Sequence, residues 1–133
     1  MKYLPILALA VVAPFAANAS NSFDAYPDPK LRVNAVGGGQ FEVVERRGAG
    51  ALDVWCAAAR YTIRENGSRE GRLYVAGVRG PSQTTPGSKG VIFTTSPTAD
   101  ANSASTLSIR DSGRTMSVSR AERLCDIYIS GRP

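Results

Sequence analysis

The stretch ALDVWCAAARYTIRENG, residues 51–67, decides how this 133-residue chain folds. Its apolar positions recur every three or four residues, which is the spacing of one face of an amphipathic helix. These positions are Leu52, Trp55, Cys56, Ala59 and Ile63. Asp53 suits the positive end of a helix, and Asn66-Gly67 supplies a stop. We therefore predict a helix over residues 51–65, with Trp55 and Cys56 on its buried face.

The same stretch holds one of the two cysteines of the chain, and the other is Cys125. A catalytic thiolate at Cys56 would need a neighbouring base or cation to lower its pKa. The chain contains no histidine, which excludes a cysteine–histidine pair, and the spacing excludes a redox CxxC motif. Two cysteines, an even number, in an exported protein are typical of a disulfide. We predict a Cys56–Cys125 bridge that clamps one end of the sheet onto the helix.

The first twenty residues, MKYLPILALAVVAPFAANAS, predict export. A positive charge at Lys2 precedes an apolar run over residues 4–16 and the small-residue pattern Ala-Asn-Ala at 17–19, as in a secretory signal peptide. The apolar run is shorter than the ~20 residues that a membrane-spanning helix needs. We expect a signal peptide at 1–19 and one disulfide-bonded domain at 20–133, periplasmic or secreted, with no membrane span in the mature chain.

Outside the helix the apolar pattern has a period of two, which is typical of strands. Strand candidates are 31–36, 40–45, 72–78, 91–96, 106–110, 114–119 and 126–130. Asp111-Ser112-Gly113 predicts a hairpin between two of them. Ser119 and Glu122 have the spacing of a capping box and predict a short helical turn near 119–125. The expected fold class is α+β, with one principal helix packed on a mostly antiparallel sheet of five to seven strands.

One candidate anion-binding site lies where the chain enters the helix. Free backbone N–H groups and the helix dipole favour an anion at a helix N-terminus. The candidate residues there are Arg46, Arg47, Gly48 and Gly50. In the competing interpretation the small residues only let the helix pack close to the preceding strand, since the fuller dinucleotide fingerprint is absent.

A second candidate is the polar segment RGPSQTTPGSKG, residues 79–90. Its order Gly-Ser-Lys departs from the Gly-Lys-Ser/Thr order of a phosphate-binding P-loop, so nucleotide binding is not expected. Long polar loops often carry binding residues. We interpret the segment as a candidate contact loop with contact residues Arg79, Ser82, Gln83 and Lys89.

Catalytic candidates are weak. Ser88 and Lys89 are adjacent, but a glycine- and proline-rich loop seldom holds a nucleophile and a base in fixed geometry. Pairs of carboxylates can hydrolyse sugars, yet nothing in the spacing of the available carboxylates selects a pair. These carboxylates are Glu42, Glu45, Asp53, Glu65 and Glu70. We assign no catalytic residue and expect no cofactor and, without histidine, no metal site.

Charge argues against nucleic acid as a partner. The chain has 16 Lys and Arg against 11 Asp and Glu, a net charge of +5, but the arginines are scattered along it. A mixed-charge surface in an exported protein does not indicate nucleic-acid binding.

The runs FEVVERRGAGALDVWCAAARY (41–61) and RLYVAGVRGPSQTTPGSKGVIFTT (72–95) resemble a group of small uncharacterised exported proteins of alphaproteobacteria. The shared features are a helical WC segment and a strand-loop-strand unit with GPSxTxPG, which together cover about residues 40–96. The resemblance implies a bacterial, exported, single-domain protein, and it implies no activity.

Two functional hypotheses therefore stay open. In the first, the protein is a non-enzymatic binding or accessory protein that engages an envelope protein, a peptide or an anionic glycan through the loop at 79–90 and nearby arginines. In the second, it is a small envelope hydrolase that uses carboxylates. Exposed apolar surface beside the loop favours the first, and a pocket with two carboxylates favours the second.

Overall fold

The computed structural model describes residues 23–25, 31–46, 49–102 and 107–130. The predicted signal peptide and its cleavage site lie outside the described residues. No helix in the described ranges is long and apolar enough to cross a membrane.

Six strands and two helices make up the described fold. The strands are β1 (Phe23–Ala25), β2 (Leu31–Gly37), β3 (Gln40–Val44), β4 (Arg72–Pro81), β5 (Lys89–Thr94) and β6 (Thr115–Ser117), and the helices are α1 (Ala51–Asn66) and α2 (Val118–Ser130). The strand order is β1-β2-β3-β5-β4-β6, and every neighbouring pair is antiparallel. The predicted α+β class, with one principal helix and an antiparallel sheet, is confirmed.

The connection through α1 defines two ends of the sheet. β5 lies between β3 and β4 and is antiparallel to both, so β3 and β4 run in the same direction and α1 crosses over from one to the other. Val44 pairs with Gly90 at one end of β3, and Gln40 pairs with Thr94 at the other. We call the first the loop end, because the 82–88 loop and the start of α1 lie there. The second is the turn end, with the β2–β3 turn and the last turn of α1.

The core lies between one face of the sheet and α1. Alternate residues of β2 to β5 supply its sheet side, namely Leu31, Val33, Phe41, Val43, Leu73, Val75, Val91 and Phe93. From α1, Trp55 packs edge-on against Phe93 with ring centroids 5.1 Å apart. Its indole N–H donates a hydrogen bond to the Leu107 carbonyl at 2.9 Å. A buried indole needs such a partner for its polar tip, so Trp55 ties the 107–113 segment to the core.

Helix α1 is buried more widely than one apolar face. Trp55 and Cys56 are buried as predicted, but Val54, Ala57 and Ala58 are buried too. The reason is α2, which packs against α1 in addition to the sheet. The helix ends at Asn66, one residue later than predicted, and Gly67 adopts a left-handed conformation with φ 67°, a conformation that costs glycine little.

The predicted last strand at 126–130 is wrong, because α2 runs through this segment and extends the predicted turn at 119–125 to 13 residues. The start of α2 also differs from the predicted capping box. The Ser117 hydroxyl, not that of Ser119, accepts the Arg120 N–H at 3.2 Å, as an N-cap residue does. Glu122 is instead paired with Arg69. Buried Ala121 and Cys125 are four residues apart. This spacing fits one face of a helix and also one face of a strand, so in a short segment the apolar pattern alone does not distinguish the two.

The predicted strand at 106–110, and with it the hairpin to 114–119, is also wrong. Residues 107–110 form no strand, and β6 pairs with β4 instead. Backbone carbonyls of this segment bond to other elements: Leu107 accepts from Trp55, and Ile109 accepts the Arg79 N–H at 2.9 Å. These long-range hydrogen bonds replace the strand-to-strand hydrogen bonds of the predicted hairpin.

The predicted disulfide between Cys56 and Cys125 is confirmed, with Cα atoms 5.2 Å apart. Because Cys125 lies inside α2, the bridge joins the two helices. The expectation that it clamps the sheet onto α1 is therefore wrong in detail.

Candidate functional site

The loop end is organised around a buried carboxylate, Glu42 in the middle of β3. Its neighbours Phe41 and Val43 belong to the core under α1, so strand alternation turns Glu42 to the opposite face of the sheet. Glu42 is nevertheless only 1% exposed. The loop between β4 and β5 covers it.

Three consecutive loop residues donate four hydrogen bonds to the Glu42 carboxylate. The Ser82 and Thr84 hydroxyls each donate at 2.6 Å, the Gln83 N–H donates at 2.8 Å and the Thr84 N–H at 3.2 Å. A carboxylate accepts such bonds at both oxygens, and bonds to a charged group are stronger than neutral ones. The loop is therefore fastened to the sheet by one side chain.

The loop is also bonded internally and to β2. The Ser82 hydroxyl accepts the Thr84 and Thr85 N–H groups at 3.2 and 2.9 Å, and the Asn34 amide donates to the Thr84 hydroxyl at 2.8 Å. The Ser82 N–H in turn donates to the Ser88 carbonyl at 2.9 Å. These bonds fix the path of the whole 82–88 loop.

Glycine at position 90 makes room for the anchor. A Cβ added to Gly90 would lie 2.7 Å from Cδ of Glu42, closer than carbon atoms pack without displacement. Because the Glu42 carboxylate is held in place by the loop, a side chain at this position would conflict with it.

Two opposing effects act on the pKa of Glu42. Burial, the largest single effect, raises the pKa, and the hydrogen bonds from Ser82, Thr84 and Gln83 lower it; together they leave it below its ordinary value. Hydrogen bonds to the charged form favour ionisation. Glu42 is thus an ionised acceptor.

Facing outwards, the loop end presents a mixed apolar and polar surface. Val78, near the end of β4, is 43% exposed and is the large hydrophobic residue that stands exposed in the described part of the chain. Pro81, Gln83, Pro86 and Lys89 are exposed as well. We call these five residues the contact surface.

The predicted contact residues divide into two pairs. Gln83 and Lys89 are exposed, whereas Ser82 is engaged with Glu42. Arg79 donates to both carboxylate oxygens of Glu45 at 2.7 and 2.8 Å. The Glu45 side chain is only 8% exposed and that of Arg79 is 32% exposed, so this ion pair is partly shielded from water and joins the end of β3 to β4.

Of the predicted anion-binding residues, Gly50 lines a cavity of about 290 Å³ at the N-terminus of α1. Gly50, Arg79 and Arg110 line it together with Glu45. Arg46 is exposed and is not among its described lining residues, and Arg47 and Gly48 lie outside the described residues.

Two carboxylates lie close to the N-terminus of α1. The Asp53 carboxylate accepts the Gly50 N–H at 2.8 Å, which satisfies part of the positive end of the helix. Glu45 adds a second carboxylate beside Arg79. An anion entering the cavity would meet the Glu45 carboxylate, which lines it.

Each of the two described cavities is lined by one of the candidate carboxylates. Glu45 lines the cavity at the loop end, whereas Glu65 lines another at the turn end. The Glu42 carboxylate accepts hydrogen bonds from the loop, and the Asp53 carboxylate accepts one at the N-terminus of α1. Within the described ranges no group of three His, Cys, Asp or Glu residues could hold a metal ion.

Sequence reasoning missed two features of this site. Glu42 was one of several carboxylates, and nothing in QFEVV indicates that a loop forty residues later covers it. A signal exists in the loop itself, where three of four residues in SQTT carry hydroxyls, typical of segments that donate to an acceptor. The exposure of Val78 has no such signal, because it follows from irregular pairing of β4 between Val75 and Gly80.

Comparisons with protein-family models, with curated proteins and with solved structures find no match to this chain.

Proposed function

We propose that the protein is a non-enzymatic binding or accessory protein of the bacterial cell envelope, exported after removal of residues 1–19. It engages an envelope protein, a peptide or an anionic glycan through the contact surface. The observation that carries this proposal is the buried Glu42, whose four hydrogen bonds hold the loop that presents Gln83 and Pro86.

Pre-organisation is the physical reason that a fixed loop suits binding. A loop that is ordered before it meets its partner avoids the entropy cost of ordering on association. A buried charge whose chief role is to fix a surface loop contributes little to the core, since its desolvation offsets much of what its hydrogen bonds contribute. This arrangement is therefore better explained by what the loop contacts than by stability.

The composition of the surface supports a macromolecular partner. Val78 and two prolines offer apolar area, while Gln83 and Lys89 offer hydrogen bonds and one positive charge. An apolar centre with polar surroundings is typical of protein interfaces. The disulfide and the resemblance to exported alphaproteobacterial proteins support the location.

The hydrolase hypothesis receives less support. A general acid needs a raised pKa and a second carboxylate at a fixed distance. The pKa of Glu42 is instead lowered, burial being outweighed by its hydrogen bonds. The carboxyl groups of Glu45 and Asp53 are each engaged with a neighbouring residue.

Affinity capture from the native envelope tests the proposal. Immobilised mature protein is compared with the variant Val78→Ser/Gln83→Ala and with Glu70→Gln, a change of an exposed residue at the turn end. We expect a specific partner that the wild type and Glu70→Gln retain equally and the double variant loses at least tenfold, since central interface residues commonly contribute more than about 1.4 kcal/mol.

A third variant, Arg46→Ala/Arg47→Ala, separates the contact surface from the anion-site hypothesis. Unchanged capture by this variant removes the arginines from the interface. Equal capture by all variants, or capture of nothing specific, contradicts the proposed function.

A further inference from the structure

A second cavity, a cleft of about 280 Å³, lies at the turn end and plays no part in the proposed function. It opens between the β2–β3 turn and the last turn of α1. Gly37 and Gly39 line it from the turn, Tyr61 and Glu65 line it from the helix, and Phe41 lines it from β3.

Two aromatic rings form an apolar wall of the cleft. The Phe41 and Tyr61 rings are 4.5 Å apart and tilted by 41°, and Phe41 stacks on Phe93 at 6.0 Å. Phe41 is 4% and Tyr61 is 9% exposed, so each ring presents a small part of its surface to the cleft. Rings fixed by the core in this way give a ligand a rigid apolar surface at little entropy cost.

The electrostatic field in the cleft favours positive charge. Glu65 is the charged side chain among its described lining residues, and the C-terminal end of α1 carries the negative pole of the helix dipole. Arg64 is an opposing charge nearby. The pKa of Tyr61 is raised, chiefly by burial. The Glu65 carboxylate raises it further, and the Arg64 guanidinium lowers it by a smaller amount. At the phenol, the carboxylate therefore outweighs the guanidinium.

The β2–β3 turn lines the cleft with two glycines, Gly37 and Gly39. Gly37 and Gly39 have φ of 91° and 76°, which side chains rarely adopt, and a Cβ built on either would meet nothing within 4 Å. Both glycines therefore border open space.

We propose that this cleft binds a small quaternary ammonium ligand, with its methyl groups against the Phe41–Tyr61 wall and its charge beside Glu65 and the end of α1. Aromatic rings together with a carboxylate are the side chains that recognise such cations. A primary ammonium is more strongly hydrated and loses more on entering an apolar cleft. In a chain of net charge +5, a cleft whose described lining carries one carboxylate and no basic side chain provides local charge complementarity for a cation.

Choline and its neutral carbon analogue 3,3-dimethyl-1-butanol provide a matched pair of probes. Each is titrated into ¹⁵N-labelled mature protein. We expect choline to shift the Gly37, Gly39 and Asn66 amides saturably and the alcohol to leave them unshifted. Glu65→Gln should weaken choline binding about fivefold, the scale of one partly exposed charge contact. Glu70→Gln, the same charge change outside the cleft, should leave it unchanged.

Three results would overturn the assignment. They are no saturable shift with choline, equal binding of choline and the alcohol, and equal weakening by Glu65→Gln and Glu70→Gln. Both variants replace exposed side chains, so an unchanged amide spectrum away from the cleft verifies that each is folded. The contact surface lies at the other end of the sheet, so neither outcome depends on the capture experiment.

Discussion

At the scale of single residues, Glu42 connects the sequence to the proposed function. Its burial costs desolvation energy, and four hydrogen bonds from the loop offset that cost. Removing one side of such an arrangement leaves buried donors or a buried charge without a partner, which costs more than the intact arrangement contributes.

The first prediction concerns pH. The pKa of folded Glu42 lies below the ordinary value of 4.5 because its hydrogen bonds outweigh its burial. Stability from this group is therefore present above the ordinary pKa and is lost as pH falls through the depressed pKa of the folded protein. Urea unfolding followed by Trp55 fluorescence should show Glu42→Gln about 2–4 kcal/mol less stable than wild type at neutral pH, with a smaller difference near pH 3.

Asp100 provides an internal check on that experiment. A hydrogen bond from the Ser112 side chain also lowers its pKa, so it contributes the same pH dependence to both proteins. Only the difference between wild type and Glu42→Gln reports Glu42. Parallel stability curves over the whole pH range would refute the role given to this carboxylate.

The second prediction concerns Gly90, opposite the anchor. Gly90→Ala should destabilise the wild type by about 2 kcal/mol, because its Cβ overlaps the held carboxylate. In a Glu42→Ala background the same change should cost close to nothing. A double-mutant cycle of unfolding free energies measures this coupling. Additive effects of the two changes would mean that the Glu42 side chain is free to move.

At the scale of elements, the two helices form one layer. Cys56 in α1 and Cys125 in α2 are bonded across a sequence separation of 69 residues. The Arg60 guanidinium also donates to the Cys125 sulfur at 3.3 Å. α2 therefore depends on α1 for its position.

The third prediction follows from this layer. Cys56→Ala/Cys125→Ala should lower the free energy of unfolding by about 4 kcal/mol, the chain-entropy value for a loop of this length. Amide hydrogen exchange should show α2 losing protection before β3 and β5, which lie in the middle of the sheet. Uniform loss of protection in all elements would show that the bridge does not act locally.

How far the sequence predicted these elements depends on their length. α1 has a clear helical period over more than three turns and a glycine stop, and both were predicted within a residue. The segment at 126–130 is too short for its apolar pattern to distinguish a strand from a helix. The packing of α2 against α1 favours the helix. The segment at 107–110 is held by bonds to Trp55 and Arg79, which no local pattern encodes.

The candidate site was predictable to the same extent. The 79–90 segment was identified by its composition, whereas the depth of Ser82 and the role of Glu42 follow from pairing between β3 and β5, far apart in sequence. Local sequence therefore indicates where a loop lies, and long-range contacts determine which of its residues face outwards.

At the scale of the whole molecule, the described fold separates two surfaces. The contact surface lies at the loop end, where the loop joins β4 to β5, and the cleft lined by Phe41, Tyr61 and Glu65 lies at the turn end, beside the last turn of α1. The sheet and α1 run between them, so each surface can be changed by substitution without disturbing the other.

Site-specific photocrosslinking in intact cells that produce the protein tests the central claim most directly. A crosslinker at Gln83, at the loop end, is compared with one at Glu70, at the turn end, in wild type and in Glu42→Gln. We predict a discrete adduct with one envelope partner from position 83 only, reduced when Glu42→Gln releases the loop. Equal adducts from both positions, or an adduct from position 83 that is unchanged by Glu42→Gln, would contradict the claim that the anchored loop is the surface that meets the partner.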